Sequence, residues 1–326
     1  MKETPEISII IVSFNTCKLL RECLSSLLQV TLGVSHEIIV IDNASVDQSA
    51  EMVAKEFPSV RLINSSINLG FGAANNAACK IARGNFILLL NSDAFLYPDA
   101  LQTALKQLQK NQNIGLGGAR LVGKDGSWQP SARLFPSLLN SFLEISGLAD
   151  KYPKSPFFGR YNRTWAPPSE SAEVDWVPGA FVLIPRPIWE KVEGFDERFF
   201  FYCEEVDLCK RVKAAGHSIC YWGDVFVTHL GGESTKNINT ATLSKNRQLE
   251  LWRMRSTFLY YRKHHGWLGA YSIKAFEEWW HRLRQWKNYK NPFKNEESRT
   301  LIKFLKQAWQ ETAGGKISPT RPWSFE

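Results

Sequence analysis

Two glutamates, Glu204 and Glu205, stand just behind the aromatic run Phe199-Phe200-Phe201-Tyr202. Carboxylates crowded by apolar rings lose hydration, which raises their pKa towards values suited to a general base. Acids also gather at helix starts for dipole reasons alone, and Asp207 and Arg211 have the spacing of an i,i+4 pair in the helix that opens here. A second acid, Asp93, closes the run Phe86-Ile87-Leu88-Leu89-Leu90-Asn91-Ser92-Asp93. Successive apolar residues of this kind read as a short strand buried on both faces. A carboxylate delivered at its end suits a divalent cation and a phosphate. His229 follows the strand-like Val225 to Thr228 and precedes Leu230-Gly231-Gly232-Glu233-Ser234, a place from which it can ligate a metal or contact a phosphate.

These side chains need a frame that gathers strand ends. Ile7 to Val12 is β-branched and ends at Ser13-Phe14-Asn15; Thr16 is the expected cap of the next helix, whose apolar stripe includes Leu20, Leu24 and Leu27. Glu37 to Ile41 ends at Asp42-Asn43-Ala44-Ser45-Val46-Asp47, and Val60 to Ile63 leads to Asn68-Leu69-Gly70-Phe71-Gly72 and an Ala/Asn-rich helix. Strand and helix in alternation predict parallel strands joined by right-handed crossovers, with every carboxyl end on one edge. Ser13, Asp42, Asn68 and Asp93 lie at those ends or just after them, where open α/β sheets bind nucleotides. Each alone serves equally well as a turn or cap residue, so the convergence makes the site.

The stretch from Gly70 lacks the third glycine of a dinucleotide fingerprint and follows the third strand, which disfavours a dehydrogenase. Beyond Lys110 the pattern changes to a glycine-rich strand, Ile114 to Val122, and then a Pro- and aromatic-rich loop, residues 151–171, of the length that usually serves function. Asp175 to Ile184 reads as one strand. An exposed Trp176 at its start, beside Gly179, would stack on a sugar; a buried one would be core.

The net charge of +8 is local: residues 245–294 hold 12 Lys/Arg against 3 Asp/Glu, leaving the remainder near neutral. A fold-wide nucleic-acid surface is therefore not expected. The six cysteines form no CxxC pair and read as reduced thiols. No signal-peptide layout opens the chain, and no apolar run approaches the ~18 residues of a membrane span. Five of the 12 tryptophans lie in the basic segment, on helices broken at Gly266. Basic residues with Trp suit an interfacial membrane helix, with a helical pair packed on the first domain as the alternative.

Taken in order, Ile11 to Asn15, Asp42 to Asp47, Asn68 to Gly72, Leu90 to Asp93, Asp175 to Ala180, Gly194 to Glu197, Glu204 to Arg211 and His229 to Ser234 resemble the successive motifs of family 2 glycosyltransferases. The chain is most similar to the rhamnosyltransferase-like branch of that family, over roughly residues 7 to 265. The resemblance implies an α/β GT-A domain over 1–238, with a Rossmann-like, mostly parallel mixed sheet, and a basic helical extension over 239–326. It further implies inverting transfer from a nucleotide-diphosphate sugar, dTDP-L-rhamnose before a UDP-hexose, to a glycan or polyprenyl-diphosphate-linked acceptor. In those terms Asp42 holds the pyrimidine, while Ser13, Asn15, Asn68, Gly70 and Ser92 seat base, ribose and diphosphate. Asp93 and His229 hold Mg²⁺ or Mn²⁺, Trp176 and Gly179 border the sugar or acceptor, and Glu205 is the base, with Glu204 the alternative. Asn91 leaves Asp93 as the only carboxylate of the metal motif, and the base position holds Glu where the family usually has Asp. A cytoplasmic enzyme, peripheral on the inner face of the membrane, is the implied setting. A non-catalytic nucleotide-sugar-binding subunit is the competing class, and the joint presence of Asp93, Glu205 and His229 argues for catalysis.

Overall fold

The computed structural model describes residues 4–31, 33–231 and 242–319, with the side chains of 242–247 left aside. In chain order the elements are β1 (Ile7–Ser13), α1 (Cys17–Val30), β2 (His36–Asn43), α2 (Ser49–Glu56), β3 (Arg61–Ser65), α3 (Phe71–Cys79), β4 (Phe86–Asn91), β5 (Ala94–Leu96) and α4 (Ala100–Lys110). Next come β6 (Ile114–Val122), β7 (Trp128–Gln129), α5 (Leu138–Ile145), α6 (Leu148–Lys151), β8 (Ala172–Val174), β9 (Phe181–Pro185), α7 (Arg186–Lys191), α8 (Glu204–Ala214) and β10 (Ser218–His229). Two helical stretches follow, α9 (Thr242–Lys287) and α10 (Pro292–Glu311).

Contacts divide the chain into one unit of Met1–Asp196 with Glu205–Ile238, and another of Glu197–Glu204 with Asn239–Glu326. The boundary expected between 238 and 239 lies outside the described residues, as does the Gly232-Glu233-Ser234 part of the His229 motif.

The first unit is built on one mixed sheet in the order β3-β2-β1-β4-β9-β6-β10-β5. Strands β3, β2, β1 and β4 run parallel, so their carboxyl ends share an edge, as the alternating pattern predicts. Ser13 sits directly across from Asp42, and Val12 from Asn91. The apolar faces of β1, β2 and β4 meet Leu20, Leu24 and Leu27 of α1, and that cluster forms the core. Strand β9 then enters antiparallel between β4 and β6, and the sheet becomes mixed.

Glycines in β6 are explained by what lies on them. A Cβ on Gly117 would stand 1.9 Å from the ring of Trp222, and one on Gly118 2.5 Å from Val177. The sheet thus accepts a buried tryptophan only where a strand has no side chain.

Three local expectations are corrected. Thr16 is the N-cap residue of α1 but its side chain makes no capping bond; Asp47 Oδ2 accepts from Cys17 N at 2.8 Å instead. The strand predicted from Asp175 starts only at Phe181, because Pro178 and Gly179 interrupt the ladder and Trp176 makes an isolated bridge with Arg133. Trp176 is buried, 5% exposed, and its indole N–H donates to Leu134 O at 2.7 Å.

In the second unit, Gly266 breaks α9 with φ 68° and ψ −170°, as expected of a helix stop. Phe200 packs on Trp252, Ser256 donates to Phe201 O, and Arg255 pairs with Glu311 of α10.

Candidate active site

The β1–α1 and β2–α2 turns are locked together at the sheet edge. Asn15, held at φ 53°, donates its N–H to Ser45 Oγ at 3.0 Å and accepts from Val46 N at 2.8 Å. Asp47 caps α1 across this junction and also accepts from Ser49 N and Oγ. Sequence reasoning quoted Asp47 without giving it a role; its part depends on two loops being adjacent.

Asp42 stands at the centre of that edge. Its Oδ2 accepts from Ser45 N at 2.9 Å, while Oδ1 is buried without a hydrogen-bond partner among the described residues. Burial pushes its carboxyl up, Ser45 offsets part of this, and the charges of Asp47 and Glu51 add to it. A buried acceptor with nothing to accept from is costly, and a donor on a bound ligand removes the cost.

Asn68 spends its Oδ1 on Asn43 Nδ2 (3.0 Å) and Gly70 N (2.9 Å), and Asn43 Oδ1 accepts from Leu69 N. It therefore shapes the loop that carries Gly70, whose φ of 82° starts α3. Gly179 lies against Phe71, where a Cβ would stand 3.2 Å from the ring.

Ser13 and Ser92 play a different part from the direct contact expected of them. Thr16 Oγ1 bridges the two hydroxyls at 3.0 Å each, and all three residues are buried. Through this chain Ser13 ties the end of β1 to the β4–β5 turn.

That turn presents Asp93, and the antiparallel pairing of β10 with β5 sets His229 opposite Ala94. His229 Nε2 consequently lies 3.5 Å from Asp93 Oδ1 and 3.3 Å from Asn91 Nδ2. Gln129 Oε1, 3.0 Å from His229 Nδ1, takes a proton there and leaves the Nε2 lone pair facing Asp93. Burial pushes His229 down and Asp93 pulls it back up. An imidazole lone pair beside a carboxylate, with the far nitrogen held by an outer partner, is a donor set suited to a cation. Among the described residues no group of three or more His, Cys, Asp or Glu could hold a metal. Two protein ligands leave the remaining positions to phosphate and water, which is how Mg²⁺ is commonly bound. Gln129 was missed because it lies on a two-residue strand with no sequence signature.

Glu204 and Glu205 open α8, following Tyr202 and Cys203 at φ 72° and 67°. Glu205 Oε2 is buried with no hydrogen-bond partner among the described residues. Burial raises its carboxyl; first-turn N–H groups and the Arg133 charge offset part of that rise. Glu204 is also buried and belongs by its contacts to the second unit. Adjacent helical residues project about 100° apart, so only one of the two can address a given hydroxyl. Asp207 and Arg211 form the expected pair at 2.7 Å.

A mixed sheet with acids and an imidazole at its carboxyl edge, and a buried carboxylate at the start of a neighbouring helix, fits a glycosyltransferase of the GT-A type. Residues 8–165 match the family model described as Glycosyl transferase family 2. The N-acetylglucosaminyl-diphospho-decaprenol L-rhamnosyltransferase of Mycobacterium tuberculosis is 28% identical over 245 residues, spanning 72% of this chain and 77% of that protein. Rhamnosyltransferase WbbL of Escherichia coli is 26% identical over 233 residues, spanning 69% and 81%. The mannosyltransferase PcManGT of Pyrobaculum calidifontis, solved with GDP-Man and Mn²⁺, shares the fold at TM-score 0.52 and 15% identity, covering 96% of this chain and 76% of its own.

Proposed function

We propose that this glycosyltransferase moves L-rhamnose from dTDP-L-rhamnose, with inversion, to a hydroxyl of a lipid-linked glycan. The observation that carries the catalytic part is Glu205, a carboxylate of raised pKa whose Oε2 is buried without a partner among the described residues at the start of α8. A hydroxyl of the acceptor donates to that oxygen and loses its proton to it as the hydroxyl oxygen attacks the anomeric carbon. The bond to the nucleotide diphosphate breaks on the opposite face, so one base and no covalent intermediate suffice. Asp42 Oδ1 accepts from the N–H of the pyrimidine, and the turns bearing Asn15 and Gly70 border base and ribose. Asp93 and His229 would hold Mg²⁺ or Mn²⁺, and the ion, when bound, stabilises negative charge on the departing diphosphate. Gln129 keeps His229 in the tautomer that this requires.

The choice of donor and acceptor is supported by the two rhamnosyltransferase relatives, one of which is named for a diphospho-lipid acceptor. No helix among the described residues is long and apolar enough to cross a membrane. Peripheral attachment is supported by Trp267, Trp279, Trp286 and Phe293, which are exposed on basic helices of the second unit. Calorimetric titration of nucleotide sugars with Mn²⁺ tests the donor: dTDP-L-rhamnose should bind more tightly than UDP-hexoses. A preference for a UDP-sugar would overturn the assignment. Flotation with anionic liposomes tests attachment, and Trp267→Ala with Trp286→Ala should reduce it.

A further inference from the structure

Within the first unit a cavity of about 300 Å³ opens between the long loop after α6 and strand β8. Arg133, Arg160, Arg163, Pro156, Trp165 and Glu173 are among its walls. Three guanidinium groups around one small cavity are an anion site unless carboxylates already neutralise them. They do so only in part. Arg163 pairs with Glu170, and Glu173 has Lys213 at 3.9 Å. Arg133 is held by Pro130 O and lies over the Trp176 ring at 4.9 Å, and its charge also acts on the Glu144 and Glu205 carboxyls. Arg160 is the unmatched group: its guanidinium makes no hydrogen bond or ion pair among the described residues, and its Nε is buried.

Two aromatic side chains, one in the wall and one next in sequence to a wall residue, are exposed to solvent. Trp165 is 44% exposed, and Phe157, next to Pro156 in the wall, is 52% exposed. A ligand with an anionic head and a greasy continuation matches a basic wall beside exposed aromatic rings. Arg133, a wall residue, is also the residue whose charge offsets part of the rise in the Glu205 carboxyl.

We propose that this cavity binds the diphosphate of a lipid-borne acceptor, with Arg160 as its principal ligand and Trp165 and Phe157 against the first part of the lipid. The proposal deepens the functional reading above and rests on it for the identity of the ligand as acceptor. The long loop then holds the acceptor by its phosphates while a hydroxyl of the attached sugar reaches Glu205.

The test is a set of titrations of the full chain in EDTA with inorganic phosphate, inorganic diphosphate and farnesyl diphosphate. Farnesyl diphosphate should bind most tightly, and Arg160→Gln should weaken both diphosphates about tenfold, the loss expected for one charge-assisted hydrogen bond. Arg160→Lys should recover part of the affinity, and His229→Ala, at the proposed donor-diphosphate end of the sheet, should leave it unchanged. Loss of diphosphate binding in His229→Ala with retention in Arg160→Gln would assign it to the donor site and overturn the proposal. Equal affinity for inorganic and farnesyl diphosphate would overturn the lipid part. Since none of these titrations requires turnover, failure of rhamnosyl transfer would leave their outcome standing. Intact transfer with unaltered binding in Arg160→Gln would sink this inference alone.

Discussion

Replacing Glu205 by glutamine removes a proton acceptor while keeping size and shape, and the structure says what else should change. A positioned general base contributes about 10² to 10⁴ in rate, or roughly 3 to 5 kcal/mol of barrier. Glu205→Gln should therefore lower kcat by that factor and leave calorimetric binding of dTDP-L-rhamnose intact. Loss of fold is not a competing explanation, because the sign of the stability effect is opposite. The carboxyl of Glu205 is raised above 4.5 in the fold by burial. Its stabilising contribution is complete below pH 4.5 and is lost as pH rises through the higher folded value. Because burial disfavours its charged form, the glutamine variant should melt no lower than the parent at neutral pH. Transfer should also fail in the parent as pH falls through that raised value, because the base is then protonated. Glu204→Gln is the control, since its carboxylate projects elsewhere on the helix. A Glu205→Gln enzyme within about threefold of the parent rate, well short of a general base's contribution, or an equal loss in Glu204→Gln, would refute the assignment.

Excess chelator should abolish transfer and added Mn²⁺ or Mg²⁺ restore it. Gln129→Leu should raise the Mn²⁺ concentration for half-maximal activity about tenfold by releasing His229; full activity in chelator would dismiss the metal. Gly117→Ala should destabilise the chain by about 1 to 3 kcal/mol through overpacking against Trp222. In denaturant titrations that cost should shrink in a Trp222→Leu background, and strict additivity would contradict the contact. His281 is held down to about 4 by burial and by Arg284 and Arg253. Its contribution to stability is complete above pH 6.5 and is lost as pH falls towards 4, by at most about 3 kcal/mol. Urea unfolding of His281→Leu should show a flatter acid limb; a slope equal to that of the parent would exclude it.

What the sequence determined by itself is whatever local pattern controls. Apolar runs ending in Ser13, Asp42 and Asn91-Ser92-Asp93 specify buried parallel strands, and that rule puts their ends on one edge. Gly266 ends a helix for a reason contained in one residue. Contacts between distant segments were legible only in part. Ser13 and Ser92 are polar strand-end residues by pattern, yet Thr16 joins them into a buried hydroxyl chain that no spacing encodes. Trp176 beside Gly179 fitted both a sugar platform and a core residue, and burial with a bond to Leu134 O decided for the core. Asp93 and His229 were each suspect alone. Their 3.5 Å approach exists because β10 turns back antiparallel onto β5, and Gln129 joins them from a separate short strand. Periodicity reports how a residue faces its own element. Which elements then become neighbours depends on burying the whole apolar surface at once, and that is settled only in the folded chain.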